Sequence, residues 1–193
     1  MSQMTAAAPQ SSNASRLQRI NVSIANRQRV RAVDSHLLRR IVKTLLSELL
    51  QAGHADVGIH LVAALEMTRL NETFLHHAGS TDVITFDYAD HASRMDSEAF
   101  RSTKHAPSLH GEIFICVDEA VSHARHFRTR WQSELVRYIV HGLLHLLGLD
   151  DRRAAARRKM KSEESRLLGR LSLRFPMNKL ARPVRGKVTA KHD

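Results

Sequence analysis

The run from Leu135 to Asp151 constrains this chain more than any other stretch. Leu135, Val136, Ile139, Val140, Leu143, Leu144, Leu146 and Leu147 fall nearly all round a helix. A helix of that kind is one the rest of the fold must enclose. His141 and His145 stand inside it. Residues four apart share one helix face, one turn apart, so both imidazoles could reach one metal ion. Two histidines in such a helix must find partners, because unpaired buried polar groups are costly. Gly148 can end the helix, since glycine accepts the left-handed cap conformation without steric cost. The chain then turns back, and Asp151 falls where a third ligand would complete a facial set. The pattern is H-x3-H-x5-D.

Three protein ligands leave a coordination position open for water or substrate, which is a catalytic rather than a structural pattern. A cysteine-rich structural zinc site is impossible with Cys116 alone, as is an intrachain disulfide framework. The zinc peptidase motif H-E-x-x-H has the same histidine spacing, with the glutamate as general base. Here that position is Gly142, so a peptidase would lack its base. Gly142 also removes bulk beside the ion. That is compatible with close approach of a phosphodiester backbone, and equally with packing against a neighbouring element.

The remaining elements follow from periodicity. Residues 1–18 show none and read as a disordered N-terminal segment. Ile20, Val22 and Ile24 alternate with small or polar residues, as in a half-buried strand. Asp34 or Ser35 can cap a helix whose apolar stripe runs from Leu37 to Leu50, closed by Gly53. Val57, Ile59 and Leu61 form a second strand. A short helix over 64–75 would turn Leu65, Leu70 and Phe74 inward, and 83–88 is a third strand. Residues 89–110 read as a long surface loop. Ile113 to Val117 is a buried strand holding Cys116 as a small core residue. Asp118 would cap a helix over 119–127. The metal helix starts near Trp131 to Ser133, and a last helix spans 152–173, with Met160, Leu167, Leu168, Leu171 and Leu173 as its apolar contribution. The expected fold is α+β: a four-stranded sheet with about five helices packed on it and the metal site on a buried helix. One domain, 19–173, sits between the N-terminal segment and a basic, disordered tail, 174–193.

The net charge of +11 is unevenly placed. Residues 152–193 hold 14 Lys/Arg and 3 Asp/Glu, while 1–151 hold 16 of each. A basic block that begins at the metal motif points to a polyanionic partner such as nucleic acid, or to a solvated tail. Residues 1–15 lack the apolar core of a signal peptide, and no apolar run nears the roughly 20 residues of a membrane span. The expected location is cytoplasmic.

Several stretches together resemble a known family. His141 to Asp151 resembles the H-G-x-L-H-L-x-G-Y-D-H signature of YbeY, the bacterial rRNA maturation endoribonuclease. Leu70-Asn71, then Thr81-Asp82-Val83-Ile84-Thr85-Phe86, match its L-N and T-D-V-(L/I)-(S/T)-F elements. Gly111-Glu112-Ile113-Phe114-Ile115 matches its G-(D/E)-I-x-I strand, and Met160 and Glu164 match an M…E pattern on the final helix. The resemblance spans roughly 57–168. It implies an α+β fold, one metal held by three histidines, and cleavage of single-stranded RNA in ribosome maturation. Carried over, His141 and His145 are the first two ligands and Asp151 takes the place of the third histidine. Asp150 matches the aspartate before that ligand, a candidate to orient it or an exposed turn residue. The family's arginine after L-N falls at Leu75, with His76 and His77 next to it.

The leading expectation is a metal-dependent, single-strand-specific endoribonuclease acting in rRNA maturation at the small-subunit 3′ end and in ribosome quality control. Its catalytic and metal residues would be His141, His145 and Asp151, its cofactor one zinc ion, and its partners rRNA, the small ribosomal subunit and single-stranded RNA, with no membrane. The general acid and base are unassigned. The alternative is a non-catalytic RNA-binding ribosome-maturation factor that retains the fold. A metal hydrolase of peptides or small molecules is a third class, against which Gly142 and the basic segment both argue.

Overall fold

The computed structural model describes residues 18–89 and 106–182. Its elements run β1 (Arg19–Asn26), α1 (Ser35–Thr44), β2 (His54–Val62), α2 (Ala64–Leu70), β3 (Val83–Asp87), β4 (Ser108–Cys116), α3 (Val117–His126), α4 (Trp131–Leu146) and α5 (Ala154–Arg174). This is the order expected from the sequence. α1 continues into a π-helical turn at Leu45–Leu49, and α2 into another at Asn71–Leu75. The strands form one sheet in the order β1-β2-β4-β3. β1, β2 and β4 are parallel, and β3 runs antiparallel to β4 at the edge.

One face of the sheet carries the main core. Val57, Ile59 and Leu61 of β2 and Leu109, Ile113 and Ile115 of β4 meet Leu38, Ile41 and Leu45 from the first helix and Leu135, Ile139 and Leu143 from α4. Met160, Leu167 and Leu171 bring α5 onto the same cluster. A smaller cluster, with Val62, Met67, Ile84, Phe114 and Cys116, lies on the other face. Burial raises the Cys116 thiol pKa, as expected of a core thiol.

Local departures from expectation have local causes. Met67 and Asn71 face inward from α2, while Leu65 and Phe74 are exposed. The π turn adds a residue to the helical phase, and the Asn71 amide donates to the Gly79 carbonyl at 2.9 Å. Gly53 does not close the first helix; Gln51 takes the left-handed conformation, φ 53°. Gly53 instead faces Ala106, whose Cβ would lie 2.9 Å from an added one. Asp118 lies inside α3, and its carboxylate accepts from the Ala64 amide at 2.8 Å, at the start of α2. Leu173 is exposed. β4 starts at Ser108, within the stretch read as loop.

The chain also stays folded beyond 173. A 3₁₀ turn at Met177–Leu180 buries both of its apolar ends, Ala181 bridges to Val33, and the Asp34 amide donates to the Leu180 carbonyl at 2.8 Å. The expected N-terminal segment, most of the 89–110 loop and the tail from 183 lie outside the described residues.

Asp34 is the cap of α1, accepting from the His36 and Leu37 amides at 3.0 Å each. The bond from Leu37, with Arg182 and the His36 amide, outweighs the cost of burial and lowers its pKa. A carboxyl depressed in the fold stabilises above its unfolded pKa, and that contribution is lost as pH falls through the folded value. Asp34→Ala should cost about 1 kcal/mol near neutral pH, a fall of about 3 °C in melting temperature. The gap between variant and wild type should narrow in thermal melts below about pH 4.

Candidate metal centre

α4 lies close on the β3–β4 half of the sheet because glycines stand at the contact from both sides. A Cβ at Gly142 would come within 2.6 Å of Ile113 and 3.1 Å of the Thr85 hydroxyl. One at Gly111 would meet the Phe86 carbonyl, and Leu146 at 2.8 Å. Packing against the sheet therefore accounts for Gly142. The helix is enclosed on its sheet side but not all round: Ser133, Arg137, His141 and His145, at intervals of four, are only half-buried. The histidines therefore sit on an open stripe of an otherwise buried helix.

The C-terminus of α4 is built as the sequence indicates. Gly148 has φ 84°. Its amide donates to the His145 carbonyl at 2.8 Å, and the Leu149 amide to the Leu144 carbonyl at 3.0 Å, the paired bonds of a Schellman cap. The cap returns the chain so that Asp151 approaches both histidines. One donor atom from each of His141, His145 and Asp151 lies within 4.8 Å of the others.

The ring nitrogens show what this cluster suits. The Nδ1 of His145 contacts the Leu149 carbonyl at 3.0 Å, and the Nδ1 of His141 contacts a Glu164 carboxylate oxygen at 2.5 Å. A carbonyl or a carboxylate can only accept, so each Nδ1 carries the proton. The two Nε2 atoms then face each other at 2.9 Å. As neutral rings both present lone pairs there, which repel unless a proton or a cation lies between them. Burial works against charge on His141, but the hydrogen bond and charge of Glu164, with Asp82 and Asp151 behind, raise its pKa. Burial and the neighbouring His141 lower that of His145. Two inward lone pairs, a nearby carboxylate and an anionic partner behind one ring form a donor set that fits a divalent cation.

Glu164 is the residue whose part the sequence did not disclose beyond its motif match. It is buried on α5 in the stripe Met160, Glu164, Leu167, Leu171. A lone carboxylate at the helical spacing of an apolar stripe was the available signal. Asp150 has a turn role. Its carboxylate accepts from the Arg152 amide at 2.8 Å, and its side chain is about half exposed. Leu75, His76 and His77 are exposed. The Tyr138 hydroxyl and the Nδ1 of His123 share a hydrogen bond at 2.5 Å, tying α4 to α3.

The comparisons agree with this architecture. The model of the Endoribonuclease YbeY family matches residues 23–172. An Endoribonuclease YbeY of Roseiflexus sp. is 34% identical over 142 residues, 73% of this chain and 86% of the relative. One of Salinibacter ruber is 31% identical over 149 residues, 76% of this chain and 89% of the relative. The solution structure of TM1509 from Thermotoga maritima shares the fold, with a TM-score of 0.57 at 23% identity, covering 86% of this chain and 99% of that one. With a family match that runs from β1 into α5 and takes in every residue of the histidine–aspartate cluster, the chain belongs to the Endoribonuclease YbeY family.

Proposed function

We propose that this protein is a metal-dependent endoribonuclease that cleaves single-stranded RNA during maturation of ribosomal RNA, with His141, His145 and Asp151 as ligands of one zinc ion. The observation that carries this reading is the convergence of three donor atoms within 4.8 Å, two of them imidazole nitrogens aimed at each other. When bound, a divalent ion supplies Lewis acidity toward a phosphate oxygen and lowers the pKa of a water. The chain's own residues hold and orient the donors. Glu164 and the Leu149 carbonyl fix both tautomers, so that each Nε2 is free to donate. Asp151 contributes an anionic oxygen where relatives would place a third imidazole, reducing the net positive charge of the loaded centre. The basic segment from Arg152 onward would draw an RNA backbone toward that centre.

The small-subunit 3′ end as the cleavage region, a part in ribosome quality control and a cytoplasmic location belong to the same proposal. Among the described residues, no helix is long and apolar enough to cross a membrane. One observation favours the alternative, a non-catalytic RNA-binding maturation factor: the exposed Leu75 stands where the family motif has its arginine.

Cleavage assays on single-stranded RNA separate the two. The endonuclease reading expects turnover by the full chain, abolished by a chelator and reduced at least 100-fold in His145→Ala, about 2.7 kcal/mol in barrier. Turnover indifferent to both would remove the metal from the mechanism. RNA binding with no turnover by the metal-loaded protein would leave the binding-factor reading.

Glu164→Gln tests the support behind His141. Loss of such a carboxylate partner typically costs about 10–100-fold in metal affinity, read by competition with a chromogenic chelator. In the wild type, protons compete with the metal for the Nε2 of His141. Because Glu164 raises the pKa of that ring, affinity should begin to fall on acidification at a higher pH in the wild type than in Glu164→Gln.

A further inference from the structure

The start of α4 carries a second feature, distinct from the histidine cluster. A cleft of about 460 Å³ opens where α3 meets α4, lined by Arg31, Arg125, Thr129, Arg130, Trp131 and Gln132, with Asn178 from the 3₁₀ turn. No carboxylate among the described residues pairs with Arg125 or Arg130, and neither does one pair with Arg128 in the same connection. Exposed guanidinium groups with no carboxylate partner are available to an anion, and their planar forks suit phosphate oxygens. Arg130 supplies no side-chain cap to α4, so the first-turn amides of Trp131 and Gln132, both lining residues, retain donor capacity. Gln132 is only 9% exposed, and its amide nitrogen already donates to the Asn178 carbonyl at 3.4 Å. Trp131 is half-buried and gives the cleft an indole surface of the type on which bases stack.

The cleft is in line with the histidine cluster. Arg137, His141 and His145, four residues apart, fall along one face of α4, and Arg130 is the residue that leads into its first turn. Arg137 and both histidines are half-buried on the stripe that the rest of the fold leaves open. At 1.5 Å per residue, Arg130 lies on the order of 16 Å along the helix from His141. α5 runs beside that stripe, and Arg157, Arg158, Lys159 and Lys161 on it are exposed.

We infer that the α3–α4 cleft is a phosphate-binding subsite for the RNA strand whose scissile bond lies at the histidine cluster, with Arg125 and Arg130 holding backbone phosphates and Trp131 receiving a base. This rests on the endoribonuclease reading for the identity of its ligand, but it places affinity at one end of α4 and chemistry at the other. A strand long enough to span the stripe is held at both ends; a shorter one reaches the metal without the cleft.

The test is binding of a fluorescent single-stranded RNA to the full, metal-stripped chain, wild type against Arg125→Ala/Arg130→Ala, over a series of salt concentrations. Both substitutions are at exposed positions, and melting temperature and metal uptake should be unchanged. The double variant should bind about 10-fold more weakly, and the slope of log affinity against log salt should fall by about 1.4, two phosphate contacts at about 0.7 each. In the metal-loaded protein, cleavage of long RNA should show raised KM with kcat retained. Equal affinity and salt slope in variant and wild type would overturn the subsite. So would inorganic phosphate or a mononucleotide binding in the cleft without competing with RNA, since the cleft would then serve a small ligand. RNA bound through the cleft but never cleaved would count against the endoribonuclease reading and leave the subsite standing. No RNA binding by the wild type would remove both.

Discussion

Two imidazole nitrogens held 2.9 Å apart set the terms for the rest of this structure. Each ring is fixed from behind, His141 by a buried carboxylate and His145 by the carbonyl of the residue that follows the helix cap. With the protons committed to Nδ1, the opposed lone pairs need positive charge between them. The fold maintains an arrangement that is unfavourable for two neutral rings alone and favourable around a cation. Proton and metal compete for that position, and the carboxylate behind His141 increases the attraction of both.

The scaffold is shaped around this requirement. Gly111 and Gly142 let α4 approach the sheet to a distance at which any side chain at either position would collide. The approach fixes the height of the histidines above the β3–β4 edge. α5 then packs Met160, Leu167 and Leu171 into the core and brings the Glu164 carboxylate to His141 from the same stripe. The Schellman cap at Gly148 does two jobs: it turns the chain toward Asp151 and presents the Leu149 carbonyl to His145. Because these contacts share atoms, truncating any of them should affect the others, and their effects on metal binding should not add.

What the sequence disclosed follows from which signals are local. Element order, the Asp34 cap and the H-x3-H-x5-D cluster were legible because periodicity, capping and a left-handed glycine each act within a few residues. The outward position of Phe74 was not, because the π turn at Asn71 shifts the helical phase without any marker in composition. The packed segment at 177–180 was hidden by the basic charge around it, although Met177 and Leu180 are apolar anchors at a helical spacing. Glu164 was marked by its motif match, but its role behind His141 depends on α5 docking beside α4, which no local pattern discloses. Gly142 admitted two explanations, and the sheet contact decided between them. The arginines of the α3–α4 cleft are scattered from 31 to 130, so only the tertiary fold gathers them.

The proposed metal centre depends on Asp151 as the third donor to one ion. Metal content and affinity of the purified chain, measured by mass spectrometry and chelator competition for wild type and Asp151→Ala, test it most directly. One ion per wild-type chain, with affinity reduced by about 10-fold or more in Asp151→Ala, is the result predicted from the loss of a carboxylate ligand. One ion bound equally tightly by both proteins would contradict it and assign the third position elsewhere.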